Sequence, residues 1–565
     1  MFTAYGMRTL TLSTSARFLR VCPFLCQNFP SYTFKEFSKS YSNSWPGDVI
    51  AKPTKRSNSL PYVNVPDSFL STNLKSSRPT KVKMIIERKI MSLKTVKEQL
   101  KFFTEAKYVA ETVNKIAILY SIAKIIEGDE EQKEVLRQHK STYMELLDSI
   151  SKEVSKCLPQ NVATLMWALG INQVKHPKLF HLCEKKILSR GTSVFDNKNI
   201  CQILSGCASF NMARSEIFPK FQEAILNGEV KICHFENHQL SGIIFSFAKT
   251  ENGSIKLFEA FLEEILSRDF TMINSNALAE FVWSFAKKAV EADKLFDRVE
   301  EEIPRRATAD LNKTSFITKV LWAFSKAGKG SKQFFDYVDN GLVSLGVERF
   351  NNVELLDIIW SFGKRSFTKA MVFDVVKEEL LKRGAHMLHT HELVMILLSF
   401  FAAQRHDNKL VTEIETELCL RNGKQIATTQ LCQVAWSLGR MGKASSQLFD
   451  VIEAEVFQRG LHKFSKEEKF LLMRGFIEAS RGSKKFYEFL FSSISEKDFS
   501  SFTAKDLLEF AWCFSEAGVQ PGTLFDALEK EILNKEKEYF SQIQVMSIKK
   551  SFLKVGKGSK ELFEL

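Results

Sequence analysis

Proline is scarce in this 565-residue chain: there are 12, and five of them (Pro46, Pro53, Pro61, Pro66, Pro79) fall between residues 46 and 79. The rest is almost free of helix breakers, which leaves long helical stretches open. Its ten cysteines include no CxxC pair; this argues against a zinc or disulfide framework and for a reduced compartment with buried free thiols. No uninterrupted apolar run approaches the roughly 18 residues that a membrane span needs. Catalytic signatures are missing too: there is no HExxH, nucleophile-elbow or kinase pattern. The GKGS segments at Gly328–Ser331 and Gly556–Ser559 lack the spacing and the preceding strand of a phosphate-binding loop, and read as turns. His386, His389 and His391 form the one close histidine group, with no convincing acidic or cysteine partner for a metal. Catalysis, cofactor and metal are therefore not expected.

Acidic residues are absent from Met1 to Lys35, where Arg8, Arg17 and Arg20 alternate with Ser, Thr and apolar residues. An Arg- and Ser-rich, acid-free segment of this kind reads as an organellar transit peptide over residues 1–46, mitochondrial in preference to plastid. Residues 47–82 shift to Ser, Asn and Pro, and read as a linker without the apolar periodicity to fold. Residues 1–100 hold 16 Lys+Arg against 5 Asp+Glu, whereas the remaining 465 hold 63 against 61. The formal charge of +13 thus belongs mainly to the N-terminal segment, and any basic surface further on must come from sorting charge to one face.

What fills residues 83–565 is a repeat. An apolar pair, an aromatic anchor, a small residue and an apolar residue recur around Trp167, Trp283, Trp322, Trp360, Trp436 and Trp512. Degenerate copies centre on Ser205, Phe245, Leu398, Arg474 and Lys550, and an earlier one on Tyr120. From Trp167 on, successive anchors lie 38 to 40 residues apart, mostly 38. A second aromatic stands 13 residues after the anchor (Phe258, Phe296, Phe335, Phe373, Phe449, Phe525, Phe563), and a third ten residues before it (Phe195, Phe235, Phe350, Phe464, Phe502, Phe540). Asp196, Asn351, Ser465, Thr503 and Ser541 follow the third column directly and suit N-caps of a first helix. A Gly-containing turn and a second helix complete each copy. One such hairpin cannot bury its own apolar face, so neighbours must stack. The expected fold is all-α: a right-handed α-solenoid of about 11–12 helical-hairpin repeats of 38 residues, the aromatic columns forming its core and the last repeat incomplete.

On the first helix, positions −7, −3, +1 and +4 from the anchor are expected to share a face. Position +1 is always small. Position +4 is basic in six of eleven copies: Lys249, Lys287, Lys326, Lys364, Arg440 and Lys554. Position −3 varies, with Gln202, Glu280, Lys319, Asp357 and Gln433, and position −7 includes His238 and Asn276. A column of cations could track phosphates, while a variable polar residue meets a base edge. Equally, the small residues could serve close helix packing, and Lys at +4 could serve the helix dipole.

The pattern F-N-x-x-x-L…xxWxFxKxG…LFDxxxxEIL, best seen in Phe350–Leu381 and Phe502–Leu533, resembles the octotricopeptide and heptatricopeptide helical repeats of organellar proteins, especially those that accompany RAP domains. The resemblance covers about residues 110–565, and no RAP-like segment follows the last copy. It implies an organellar RNA-binding protein acting in RNA processing, stability, translation or ribosome assembly, with single-stranded organellar RNA as ligand and ribosomal or other organellar proteins as possible partners. The alternative is a protein-binding α-solenoid scaffold or a structural subunit of an organellar complex.

Overall fold

The computed structural model describes residues 81–565 apart from 175, 307–312, 406–407, 422, 424–425, 443–445, 495, 519–521 and 536–538. The expected transit segment 1–46 and nearly all of the linker 47–82 lie outside the described residues. Among those described there are helices and no strands. They fall into two compact units, divided after Leu295.

The first unit opens with α1 (Lys81–Ser92), α2 (Val96–Ala106), α3 (Thr112–Ile126), α4 (Glu130–Gln138) and α5 (Lys140–Ser151). Hairpins follow: α6 (Pro159–Asn172) with α7 (Pro177–Arg190), α8 (Asn197–Ser209) with α9 (Ile217–Leu226), and α10 (Asn237–Lys249) with α11 (Ile255–Ser267). Then come α12 (Ser275–Lys288) and α13 (Asp293–Glu302), the latter spanning the division. In the second unit the first helices are α14 (Thr314–Ala327), α16 (Asn352–Lys364), α18 (Thr390–Ala402), α20 (Thr428–Met441), α22 (Lys466–Glu478), α24 (Ala504–Glu516) and α26 (Gln542–Val555). Their partners are α15 (Lys332–Leu345), α17 (Val372–Arg383), α19 (Asn408–Leu420), α21 (Ser446–Arg459), α23 (Lys484–Ser492), α25 (Gly522–Asn534) and α27 (Lys560–Glu564). Within each unit every first helix packs on the next, so each unit is an α-solenoid stack.

The local reasons for the helices are those the sequence offers. Asp196, Asn351, Ser465, Thr503 and Ser541 all cap first helices through their side chains. Second helices start on Ser254, Ser331, Ser483 and Ser559, each accepting the amide three residues on. The GKGS segments are turns, as expected: Gly330 has φ +92°, and a Cβ there would stand 2.9 Å from the Phe324 and Phe335 rings.

The core between neighbouring copies rests on the aromatic 13 residues past the anchor. It meets, edge to face, the Phe two residues past the next anchor: Phe258 on Phe285 at 5.6 Å in the first unit, and Phe335 on Phe362 at 5.5 Å, Phe373 on Phe400 at 5.3 Å and Phe449 on Phe476 at 4.7 Å in the second. Each such pair adds about 1 kcal/mol beyond its area burial. First helices lie much closer together than second helices do, which places them on the inner side of each stack. The closest approaches are backbone to backbone. A Cβ on Gly206 would lie 2.4 Å from the Met166 carbonyl oxygen, and one on Gly475 would lie 2.5 Å from the Ala435 carbonyl carbon.

Two polar devices recur. Near the end of second helices an arginine pairs with the glutamate four residues earlier and reaches back to the start of its own first helix. Arg383 donates to Glu379 at 2.7 Å, to Asn352 Oδ1 at 2.8 Å and to the Phe350 carbonyl at 2.8 Å; Arg268, Arg421 and Arg459 repeat the arrangement in part or whole. The other device joins neighbours. A carboxylate on one second helix accepts amides at the start of the next, as Glu300 does from Ser331 N, Asp339 from Met371 N and Val372 N, and Glu453 from Ser483 N. Positioned against a helix N-terminus, such a carboxylate also meets the favourable end of the dipole.

Candidate functional site

The inner side of each stack is where the sequence-derived candidates gather, with one change of register. Position +1 does not face outward. Ser246, Ser284, Ala323, Ser361, Ser399, Ser437 and Cys513 are all at most 1% exposed, wedged in the seam between successive first helices. Close packing is therefore the work of the small residues. The outward stripe consists of −7, −3, the anchor itself and +4, whose spacings of four, three and four residues keep them on one helical face.

The anchor column thus forms the inner edge of the core, closed over in some copies and partly open in others. Tyr120, Trp167, Phe245 and Trp512 are half-buried; Trp283, Trp322, Trp360 and Trp436 are nearly closed over. In the first unit the Tyr120 and Trp167 rings lie 5.1 Å apart and the Phe245 and Trp283 rings 4.7 Å apart. In the second, Trp322 stacks on Trp360 at 6.2 Å, and Phe401, three residues past the degenerate anchor Leu398, meets Trp436 at 4.7 Å. Where an anchor is arginine the ladder continues, because the Arg474 guanidinium sits 5.5 Å over the Trp512 ring.

Cations at +4 border this ladder. Lys124 lies 4.7 Å over Trp167, and Lys364 lies 5.0 Å over the ring of Trp360 on its own helix. Lys249 and Lys326 are half-exposed, and Lys326 makes no ion pair among the described residues. Others are partnered. Lys287 faces Glu251 at 3.8 Å, Arg440 pairs with Glu478 at 3.1 Å, and Lys554 pairs with Glu516 at 2.6 Å. The last two join +4 positions of adjacent copies, so toward the C-terminus the column compensates its own charge. Arg474 is also held between Glu478 at 3.1 Å and Glu509 at 3.0 Å.

The variable positions divide. Asn276 and His238 are exposed; His238 has Glu236 at 3.3 Å. Glu280, Lys319 and Gln433 are half-buried at −3, and Glu280 accepts the Ser241 hydroxyl of the preceding copy at 2.7 Å. Gln202 is buried, its Oε1 without a hydrogen-bond partner, so it belongs to the seam and not to the open stripe. At Asp357, burial and then the neighbouring Glu354 push the carboxyl up to about 7, which makes it close to half neutral at physiological pH. At His391, burial and then His389 push the imidazole down to about 4, so it is neutral there. Among the described residues no group of three or more His, Cys, Asp or Glu could hold a metal ion, and no helix is long and apolar enough to cross a membrane.

Sequence reasoning missed the partial exposure of the Tyr120, Trp167, Phe245 and Trp512 rings, the arginine that closes the hairpins of Arg268, Arg383, Arg421 and Arg459, and the carboxylate that caps a following second helix. The last two left a signal: acid and base at i and i+4 near the end of second helices, and Glu300, Asp339, Glu453 and Glu529 all 17 residues past an anchor.

Residues 288–465, just under a third of the chain, match the family model for the RNA-editing substrate-binding complex 6 protein. No curated protein matches the chain. The part matched holds the Trp322, Trp360 and Trp436 copies, and the similarity supports an RNA-associated helical-repeat protein.

Proposed function

We propose that this chain is a mitochondrial, non-catalytic RNA-binding repeat protein that holds single-stranded RNA along the inner face of its first helices. The observation that carries the reading is the ladder of rings at the anchors with cations at +4, found in both units. The half-buried rings of Tyr120, Trp167, Phe245 and Trp512 and the Arg474 guanidinium offer partial faces on which bases of any identity can stack, the closed-over tryptophans brace the wall behind them, and lysines beside them meet phosphates. Polar side chains at −7 and −3, such as Asn276, Gln433 and Lys319, stand where base edges would pass. The match over residues 288–465 points the same way, because that family is described by a complex that binds the substrates of RNA editing. RNA processing or editing is on this reading the process served. The acid-free N-terminal segment supports import into mitochondria.

A second reading has its own observation. The compensated pairs Arg440–Glu478 and Lys554–Glu516 leave the C-terminal copies little free positive charge, which suits docking to another protein subunit of an RNA-editing complex. Crosslinking in intact mitochondria followed by sequencing of bound RNA tests the principal reading. Enriched transcripts, lost when Lys287, Lys326 and Lys364 are changed to Glu, are expected. Absence of any enriched transcript, together with no salt-dependent binding to single strands in vitro, would sink it.

A further inference from the structure

Several cations on the first-helix face are held by carboxylates, whereas a group ahead of the repeats is not. At the corner between α1 and α2, Arg88, Lys89, Lys94 and Lys97 are all exposed, and none makes an ion pair among the described residues. Most of their acidic neighbours are occupied. The Glu98 carboxylate accepts the amides of Lys94 at 3.0 Å and Thr95 at 3.1 Å. Those bonds, the Lys94 one foremost, hold its pKa below the usual range, with Lys89 adding least. On α4, which packs here through Gln132 Oε1 accepting Val96 N at 3.0 Å, Glu130 pairs with Lys133 and Glu134 with Arg137. Asp129 accepts the Gln132 amide, and Lys101 faces Glu105. Glu87 and Glu131 are the remaining acids nearby in sequence or packing.

The corner is also stiff. Buried Gln99 donates to the Ile90 carbonyl at 2.8 Å and to Ser121 Oγ at 2.7 Å, which ties the end of α1 to α2 and α3. Thr95 and Glu98 close a capping box at the start of α2. Four cations therefore project from a backbone that needs no reordering to present them.

We infer that this corner is a separate contact for the phosphate backbone of RNA, outside the repeat face and indifferent to sequence; the inference rests on the RNA-binding reading above. A cation already held by a carboxylate displaces few counterions when a phosphate arrives, while an unpaired one displaces nearly its full share. Part of the sequence-independent affinity accordingly sits here, beside that of the +4 lysines, and the ladder of the first helices supplies the contacts to bases.

The test measures binding of the full chain to an unstructured single-stranded RNA of about 20 nucleotides by fluorescence anisotropy over a series of salt concentrations. The variant is Arg88→Gln, Lys89→Gln, Lys94→Gln and Lys97→Gln together, which keeps helix-forming side chains and removes the charge. At about 0.7 per phosphate contact for single strands, the slope of log Kd against log salt should shrink by about 2 to 3, and affinity at low salt should fall about tenfold or more. Circular dichroism melting unchanged from the parent shows that the fold is kept. A slope equal to the parent's, with RNA binding still lost in Lys326→Glu plus Lys364→Glu, overturns the corner as a contact and leaves the wider reading standing. If the parent chain binds no RNA, both fall together.

Discussion

Replacing Gly475 by alanine should destabilise the second unit, although the same change in an open helix stabilises by about 1 kcal/mol. The new Cβ would stand 2.5 Å from the Ala435 carbonyl carbon and 2.6 Å from both the Ala435 oxygen and the Trp436 nitrogen, where ordinary contact starts at 3.4 Å. All three atoms are backbone, so no side chain can turn aside. Helices α20 and α22 must part by close to an ångström. Overpacking of this kind costs about 1–3 kcal/mol, and the separation also loosens the edge-to-face pair of Phe449 and Phe476 at 4.7 Å, worth about 1 kcal/mol. After the gain in helix propensity is set against these, a net loss of about 1–3 kcal/mol is expected. Urea unfolding of the full chain followed by circular dichroism measures it. Hydrogen exchange should place the extra opening in α20 to α23, because stacked repeats couple chiefly to their neighbours. Gly242→Ala is the matched control. Its Cβ would meet only the Cys201 sulfur at 3.3 Å and the Ser205 hydroxyl at 3.8 Å, so stability should hold or rise. Equal behaviour of the two variants would refute the claim that backbone approach sets the small residue at +1.

Three further outcomes can be measured. Arg383→Met leaves the largely buried Glu379 without its partner, and should cost about 3 kcal/mol in unfolding free energy; a change under 1 kcal/mol would mean that the clasp is decorative. Ser437 Oγ is buried without a hydrogen-bond partner, whereas Ser361 Oγ donates to the Asp357 carbonyl at 2.6 Å. Ser437→Ala should therefore be neutral or stabilise by up to about 1 kcal/mol, and Ser361→Ala should cost about 1 kcal/mol; thermal melts that rank them the other way contradict this. Asp357 titrates near 7 when folded against an ordinary value of 3.8, so the unfolded chain binds fewer protons between those limits and stability falls as pH rises through them. Asp357→Asn should remove that decline, by about 2 kcal/mol across the window for a partly exposed group. Parallel pH profiles for parent and variant would disprove the assignment.

Much of this molecule could be read from its residues because the same decision is repeated. Three aromatic columns at a fixed spacing leave few ways to arrange a hairpin, and the capping residues Asp196, Asn351, Ser465, Thr503 and Ser541 mark where first helices begin. What could not be read is where each face of those helices points. Serine at +1 and lysine at +4 differ by less than one turn, yet Ser361 lies in a seam and Lys364 beside the open ladder. Only the crossing of neighbouring helices, set by Gly206 and Gly475, decides between them. For the same reason the partial exposure of Trp167 and Trp512 could not be read, whereas Trp283, Trp322, Trp360 and Trp436 are the core residues their apolar neighbours suggest. The raised pKa of Asp357 was likewise invisible, since burial comes from helices far away in sequence.

The two recurrent polar devices act at different levels. The arginine clasp is satisfied within a copy, by its own second helix and the beginning of its own first helix. The capping carboxylate is satisfied only by whatever copy comes next, and that copy need supply no more than a second-helix N-terminus with free amides. Where both devices are present a copy is therefore a self-closed part with a generic connector, and genetic duplication or excision of such a copy would break no clasp and leave its connector facing an equivalent socket. Length in such a chain can drift by whole copies with little penalty to folding, so the number of copies is open to selection by the ligand's length.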